Sequence, residues 1–373
     1  MIVGDKILKI GVVILIGILF LSCINDEDKP SVDRIILVYM GGDNNLSEET
    51  DAKIDALYKG WNENNRGRLL IYCDPADDFP QLIEICTCAK GNTIKNIIHT
   101  YEEENSASQE VLNRVIKEVK KEYQAPSYGL ILFSHASGWL PEGSLSKPKS
   151  VLTDGKEEMS LNELAEAIPD NSFDFIIFEA CFMAGIEVAY ELKSKTGYIF
   201  ASSAEVVSPG FEEIYKQSLT YLYEPTANLK KFGESAFNYF NSQSGFLKSA
   251  TFSVIKTAGL ENLADYIKGN CDLDKAIEIN AIQHFDRYTY RLFFDFEDYH
   301  ASLLQSTEQQ KDLAKIISDC IVYKAATSSF MEEYDGFQIR KHSGLTTYIR
   351  QEAFPYLNTE YKKLEWYKKI TDN

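Results

Sequence analysis

The sequence is short of positive charge. Its 373 residues hold 38 Lys and Arg against 56 Asp and Glu, a formal charge of −18. Such a balance repels phosphate backbones, so nucleic acid is excluded as an expected partner and cationic partners are favoured. Long apolar stretches are scarce as well. An unbroken one runs only from Ile10 to Leu21, well short of the roughly 20 residues that a bilayer-spanning helix needs. No internal repeat is visible, and no Pro/Gly-rich linker marks a domain boundary. The seven cysteines fit no dense disulfide framework, and the lone Cys86-x-Cys88 lacks the second pair expected of a zinc site. No EF-hand-like loop is present. What is there is a globular composition, with 45% hydrophobic and 12% aromatic residues, enough for a large core.

The first residues read as an address. Lys6 and Lys9 precede the short apolar run, the pattern of a signal peptide over residues 1–22. Phe20-Leu21-Ser22-Cys23 resembles a bacterial lipobox, which implies that Cys23 carries lipid and begins the mature chain. Residues 23–32 follow as an acidic tether that buries too little apolar surface to fold. The run Asp26-Glu27-Asp28 within it resembles the surface-export signals of Bacteroidetes lipoproteins. The expected location is the outer membrane or cell surface, with the lipid anchor as the membrane contact.

From Arg34 onward, short apolar runs alternate with helical patterns. Strands are predicted at Arg34–Met40, Arg68–Asp74, Gln81–Thr87, Thr93–His99, Tyr128–Ser134, Phe173–Glu179 and Tyr198–Ser202. Helices are predicted near Glu48–Trp61, Ser108–Tyr123, Leu161–Ile168 and Met183–Leu192. Apolar strands separated by helices predict an α/β fold with a mostly parallel sheet covered on both faces. Residues 33–225 form this expected core. Residues 226–373 are predicted as a C-terminal α+β part packed on it, with helices at Ala227–Tyr239, Leu260–Cys271, Gln309–Tyr323 and Glu360–Ile370 and strand-like pieces at Ala250–Ile255 and Leu345–Ile349.

Two of the strands run out into His135 and Cys181. Sites in open α/β sheets form outside the carboxyl ends of the strands, so neighbouring parallel strands would bring this imidazole and thiol together. A Cys beside a His is a nucleophile with its base, although an isolated buried Cys serves equally as a small core hydrophobe. Glu179, two residues earlier on the strand, points to the same side as Cys181 and would attract a Lys or Arg side chain of a ligand. Ser203 and Glu205, beyond the next strand, are candidate cleft residues by position. Asn44, at the end of the first strand, is a candidate for orienting His135, with turn chemistry as the other reading.

Three ordered motifs, Tyr39-Met-Gly-Gly-Asp43-Asn44-Asn45-Leu46, Ser134-His135-Ala136-Ser137-Gly138-Trp139 and Glu179-Ala180-Cys181-Phe182-Met183, resemble those of the clostripain family of cysteine peptidases. Weaker echoes occur at Thr153-Asp154-Gly155, Asp295–Tyr299 and Ser343–Tyr348. The resemblance implies a caspase-like αβα sandwich and hydrolysis of peptide bonds after Arg or Lys. It also implies catalysis by His135 and Cys181, and oxyanion donors on the backbone of Ala136 and Cys181. Family members are often cut in the loop after the His, which makes Lys149 and, less favourably because Pro148 follows it, Lys147 the candidate processing sites. No cofactor is required by this chemistry; calcium dependence is known for some members. The chain departs from the family pattern in having Ala136 in place of Gly and Glu179 in place of Asp. A Cβ at 136 restricts the backbone next to the oxyanion site, and the longer Glu179 makes the pocket shallower. These departures keep a second expectation in view: a catalytically silent surface lipoprotein of the same fold that binds peptides or a protein partner.

Overall fold

A computed structural model describes residues 32–42, 46–142, 144 and 151–371. The expectations for the signal peptide, the tether and Cys23, for Asn44, and for Lys147 and Lys149 fall outside these residues.

Val32–Asn373 forms one compact unit built on a nine-stranded sheet. The chain begins with β1 (Arg34–Gly42), α1 (Ser47–Gly60) and β2 (Gly67–Pro75), then a hairpin of β3 (Gln81–Thr87) and β4 (Thr93–Thr100). Next come α2 (Gln109–Glu122), β5 (Ser127–Phe133), the small hairpin β6 (Leu152–Asp154) and β7 (Glu157–Met159), and α3 (Leu161–Ala167). β8 (Phe173–Glu179), α4 (Ile186–Glu191), β9 (Thr196–Ser202), α5 (Glu212–Ser218), α6 (Leu229–Asn241) and β10 (Thr251–Lys256) follow. Across the sheet the order is β9-β8-β5-β1-β2 at the centre, all parallel, with β3 and β4 antiparallel on one side and β10 antiparallel on the other.

The central strands are apolar on both faces. Ile35 to Met40, Leu130 to Phe133 and Phe175 to Phe178 are all buried, as a sheet with helices on both sides demands. In α2 the buried residues Leu112, Val115, Ile116 and Val119 form one helical stripe, and Ser108 caps the helix by accepting from the Val111 N–H. A capping box between Ser160 and Glu163 starts α3. The helices pack in two sets, α1 with α5 and α6, and α2 with α3 and α4, which gives the expected three layers.

The C-terminal residues do more than pack on this core. β10 joins the main sheet beside β9, and beyond α7 (Leu260–Asn270) and α9 (Thr307–Cys320), which follows β11 (Phe294–Asp295) and α8 (Phe296–Leu303), strand β12 (Ile321–Ala326) forms the far edge. The predicted helix over Gln309–Tyr323 therefore ends at Cys320, and the chain turns directly into a strand. No Gly or Pro separates the two, so nothing in the local sequence announced the change. The predicted final helix is two short ones, Pro355–Tyr361 and Glu365–Thr371.

Candidate functional site

The register of the central sheet sets up the site. β5 and β8 are parallel neighbours with Phe133 opposite Glu179. Counting two residues onward along each strand reaches His135 and Cys181, so both leave the sheet at equivalent positions outside its carboxyl edge. Both are half-buried and line one cavity of about 330 Å³, together with Glu49, Lys53, Ser134, Glu179, Glu205 and Arg287. The Cys181 sulfur accepts the Val206 N–H at 3.4 Å.

The backbone around the thiol is held under constraint. Phe182 has φ +62°, the left-handed region, which is costly for a bulky residue and persists only where surrounding contacts fix it. Those contacts are present: the Phe182 N–H donates to Ala204 O at 3.0 Å, the Ala184 N–H donates to Ser202 O at 3.0 Å, and the Phe182 ring stacks on Phe293 with centroids 4.4 Å apart. The segment after His135 docks onto the same turn. Gly138 has φ +64°, and a Cβ there would lie 2.8 Å from the Phe182 carbonyl oxygen. Ala136 is buried but is not among the residues with positive φ. Its methyl group therefore imposes no left-handed strain.

Two of the cavity's three acids, Glu179 and Glu205, are occupied. Glu179 is buried and accepts from Lys53 Nζ at 2.7 Å and the Phe211 N–H at 2.7 Å on Oε1, and from the Tyr215 hydroxyl at 2.6 Å on Oε2. Glu205 is gripped by Arg287, whose Nε and Nη2 donate to its two oxygens at 2.7 and 2.8 Å. Ser203 is fully buried; its hydroxyl lies 3.3 Å from His342 Nε2, and it does not line the cavity. Sequence reasoning passed over Lys53, Glu49 and Arg287. A signal existed for Lys53: it sits on the buried stripe of α1 with Thr50, Ile54 and Leu57, and a Lys on an apolar face implies a buried partner.

Among the described residues, no group of three or more His, Cys, Asp or Glu side chains is arranged to hold a metal ion, and Cys73, Cys86, Cys88, Cys181, Cys271 and Cys320 are thiols that no disulfide joins.

A thiol and an imidazole at the carboxyl ends of adjacent parallel strands define a site of the cysteine-hydrolase class. Comparison with known proteins gives the family. The clostripain family model, Peptidase C11, matches residues 38–372, and the chain belongs to that family of cysteine peptidases. It is 28% identical over 205 residues to clostripain of Hathewaya histolytica, a match covering 50% of this chain, and the chain spans only 35% of that protein's length. An inactive zymogen C11 protease from Parabacteroides distasonis shares the fold with TM-score 0.81 and 33% identity, over 91% of this chain and 98% of that one. A secreted C11 cysteine protease from Bacteroides thetaiotaomicron, solved with an irreversible peptide inhibitor, has TM-score 0.79 and 25% identity, over 91% and 99% of the two chains.

Proposed function

We propose that the chain is an endopeptidase cutting after Arg or Lys, with Cys181 as nucleophile and His135 as its acid–base partner. The observation that carries this reading is the placement of both side chains at equivalent register positions on the wall of one acid-lined cavity. The Cys181 thiolate attacks the carbonyl carbon, and negative charge moves onto the carbonyl oxygen, where the backbone N–H groups of Cys181 and Ala136 are the proposed donors. His135 protonates the departing amine as the C–N bond breaks, leaving a thioester. It then takes a proton from water, whose oxygen attacks the thioester, releasing the new carboxylate and the thiolate. No metal or cofactor enters these steps; calcium dependence is left to the assay. Substrates are peptides or proteins with basic residues, a chemistry that suits a chain of net charge −18.

The same proposal includes export and anchoring through Cys23 and maturation by cleavage at Lys149 or Lys147. Radiolabelled palmitate incorporation that is lost in Cys23→Ala tests the anchor. The activity is tested by hydrolysis of fluorogenic peptides ending in Arg, Lys or Asp, before and after tryptic nicking and with or without calcium. Turnover after Arg or Lys that disappears in Cys181→Ala is expected. No turnover by the nicked protein would favour the peptide-binding lipoprotein instead.

A further inference from the structure

We propose that Lys53 is a built-in occupant of the Glu179 carboxylate, and that Glu49, one helical turn before Lys53 on α1, is the acid that reads a cationic P1 side chain. The inference rests on the peptidase reading for its substrate.

Glu179 has little left to offer a ligand. Its carboxylate side chain is 2% exposed and Lys53 is 0% exposed, with 2.7 Å between the charged atoms. The Lys53 ammonium also donates to Pro209 O at 3.0 Å and lies 4.5 Å from the centre of the Phe133 ring. The lid over this pair is Gly210, whose φ of +66° suits glycine and where a Cβ would fall 2.2 Å from Glu179 Oε1. A substrate cation would have to break a buried ion pair that the Phe211 N–H, the Tyr215 hydroxyl, Pro209 O and the Phe133 ring hold in place, a costly exchange.

Among the described residues that line the cavity, one carboxylate is balanced less fully than the others. The cavity is lined by the acids Glu49, Glu179 and Glu205 and by the bases Lys53 and Arg287. Lys53 is matched to Glu179, and Arg287 to Glu205 in a two-pronged pair. Glu49 keeps a Ser208 hydroxyl at 3.0 Å on Oε1 and stands 3.5 Å from Lys53 on Oε2, with its side chain 27% exposed. It is the acid whose charge the site neutralises least: Glu205 is as exposed, at 26%, but both of its oxygens are taken by Arg287. The fork of an Arg side chain matches such a carboxylate.

The test is equilibrium binding to Cys181→Ala protein, which needs no turnover. Calorimetry compares a peptide with Arg at P1 against the same peptide with citrulline, the uncharged isostere. With Glu49 present, Arg is expected to bind about three- to tenfold more tightly, the scale of one partly exposed charge pair. Glu49→Gln should reduce that preference to within about twofold, and Glu49→Lys should reverse it. An Arg preference that survives Glu49→Gln, or a parent protein that binds both peptides equally or neither, overturns the proposal. Failure of the peptidase reading appears separately, as a protein with Cys181 intact that binds the Arg peptide selectively through Glu49 and hydrolyses nothing.

Discussion

Replacing Lys53 by Met removes the cation that neutralises Glu179 while keeping much of the side-chain volume. The structure sets the cost. Glu179 would keep the Phe211 N–H and the Tyr215 hydroxyl but lose its counter-charge at 2.7 Å, and Pro209 O would lose a donor at 3.0 Å. Removing one partner of a buried pair costs about 3–5 kcal/mol, and the two surviving donors place this case near the lower end, about 3 kcal/mol. Glu179→Gln leaves Lys53 buried with only the more distant Glu49, at 3.5 Å, as counter-charge and should cost a similar amount. The double variant, Lys53→Met combined with Glu179→Gln, should cost less than the sum of the singles by about 2 kcal/mol, because it leaves no naked charge behind. Urea unfolding of the four proteins at pH 7 measures this. A Lys53→Met cost below about 1 kcal/mol, or strict additivity in the double variant, would refute the assignment of Lys53 as the resident partner of Glu179.

Two further outcomes follow from the same geometry. Gly138→Ala forces a Cβ into the left-handed region and against the Phe182 carbonyl, 2.8 Å away, which should cost about 1–3 kcal/mol of stability and at least tenfold in kcat/KM. Parallel urea and kinetic titrations check it, and a variant equal to wild type in both would show that the two turns are not coupled. Asp74 is pushed up to about 7 by burial, with Asp154 and Glu103 adding negative charge and Ser106 opposing the shift. The folded state therefore holds a proton that the unfolded state has released between about pH 4 and pH 7, so this group's contribution to stability falls as pH rises through that window. Asp74→Asn should flatten that slope, with its gain over wild type growing from pH 5 to pH 8; a gain independent of pH would exclude the assignment.

Much of this molecule is written locally in the chain. The central strands are apolar runs that end in polar, chemistry-bearing residues, which is why His135 and Cys181 were readable as neighbours before any coordinates: β5 and β8 needed only to be adjacent. The five-strand parallel centre and the helices between its strands were legible for the same reason. The partners of the acids were not. Lys53 and Glu179 lie 126 residues apart in sequence, and Glu205 meets Arg287 across 82, so no local periodicity links them. Glu179 was expected to await a substrate cation, and its side chain is instead saturated by the protein. Ser203 follows β9 in a way that suggested the cleft, yet its N–H bonds Thr251 O on β10 at 2.9 Å, and that pairing draws it into the interior. β12 was missed because α9 runs into it without a breaker, and only pairing with β10 makes Ile321–Ala326 a strand.

The most direct test of the central claim is covalent. A peptide bearing Arg at P1 and a thiol-reactive ketone is incubated with wild type, Cys181→Ala and His135→Ala under reducing conditions, and adducts are located by mass spectrometry of the digested chains. The account predicts a single adduct on Cys181 in wild type, none in Cys181→Ala, and labelling slowed by at least a hundredfold in His135→Ala. Labelling spread over Cys88 and other thiols, or labelling of Cys181 that is indifferent to His135, would contradict a dyad at the ends of β5 and β8.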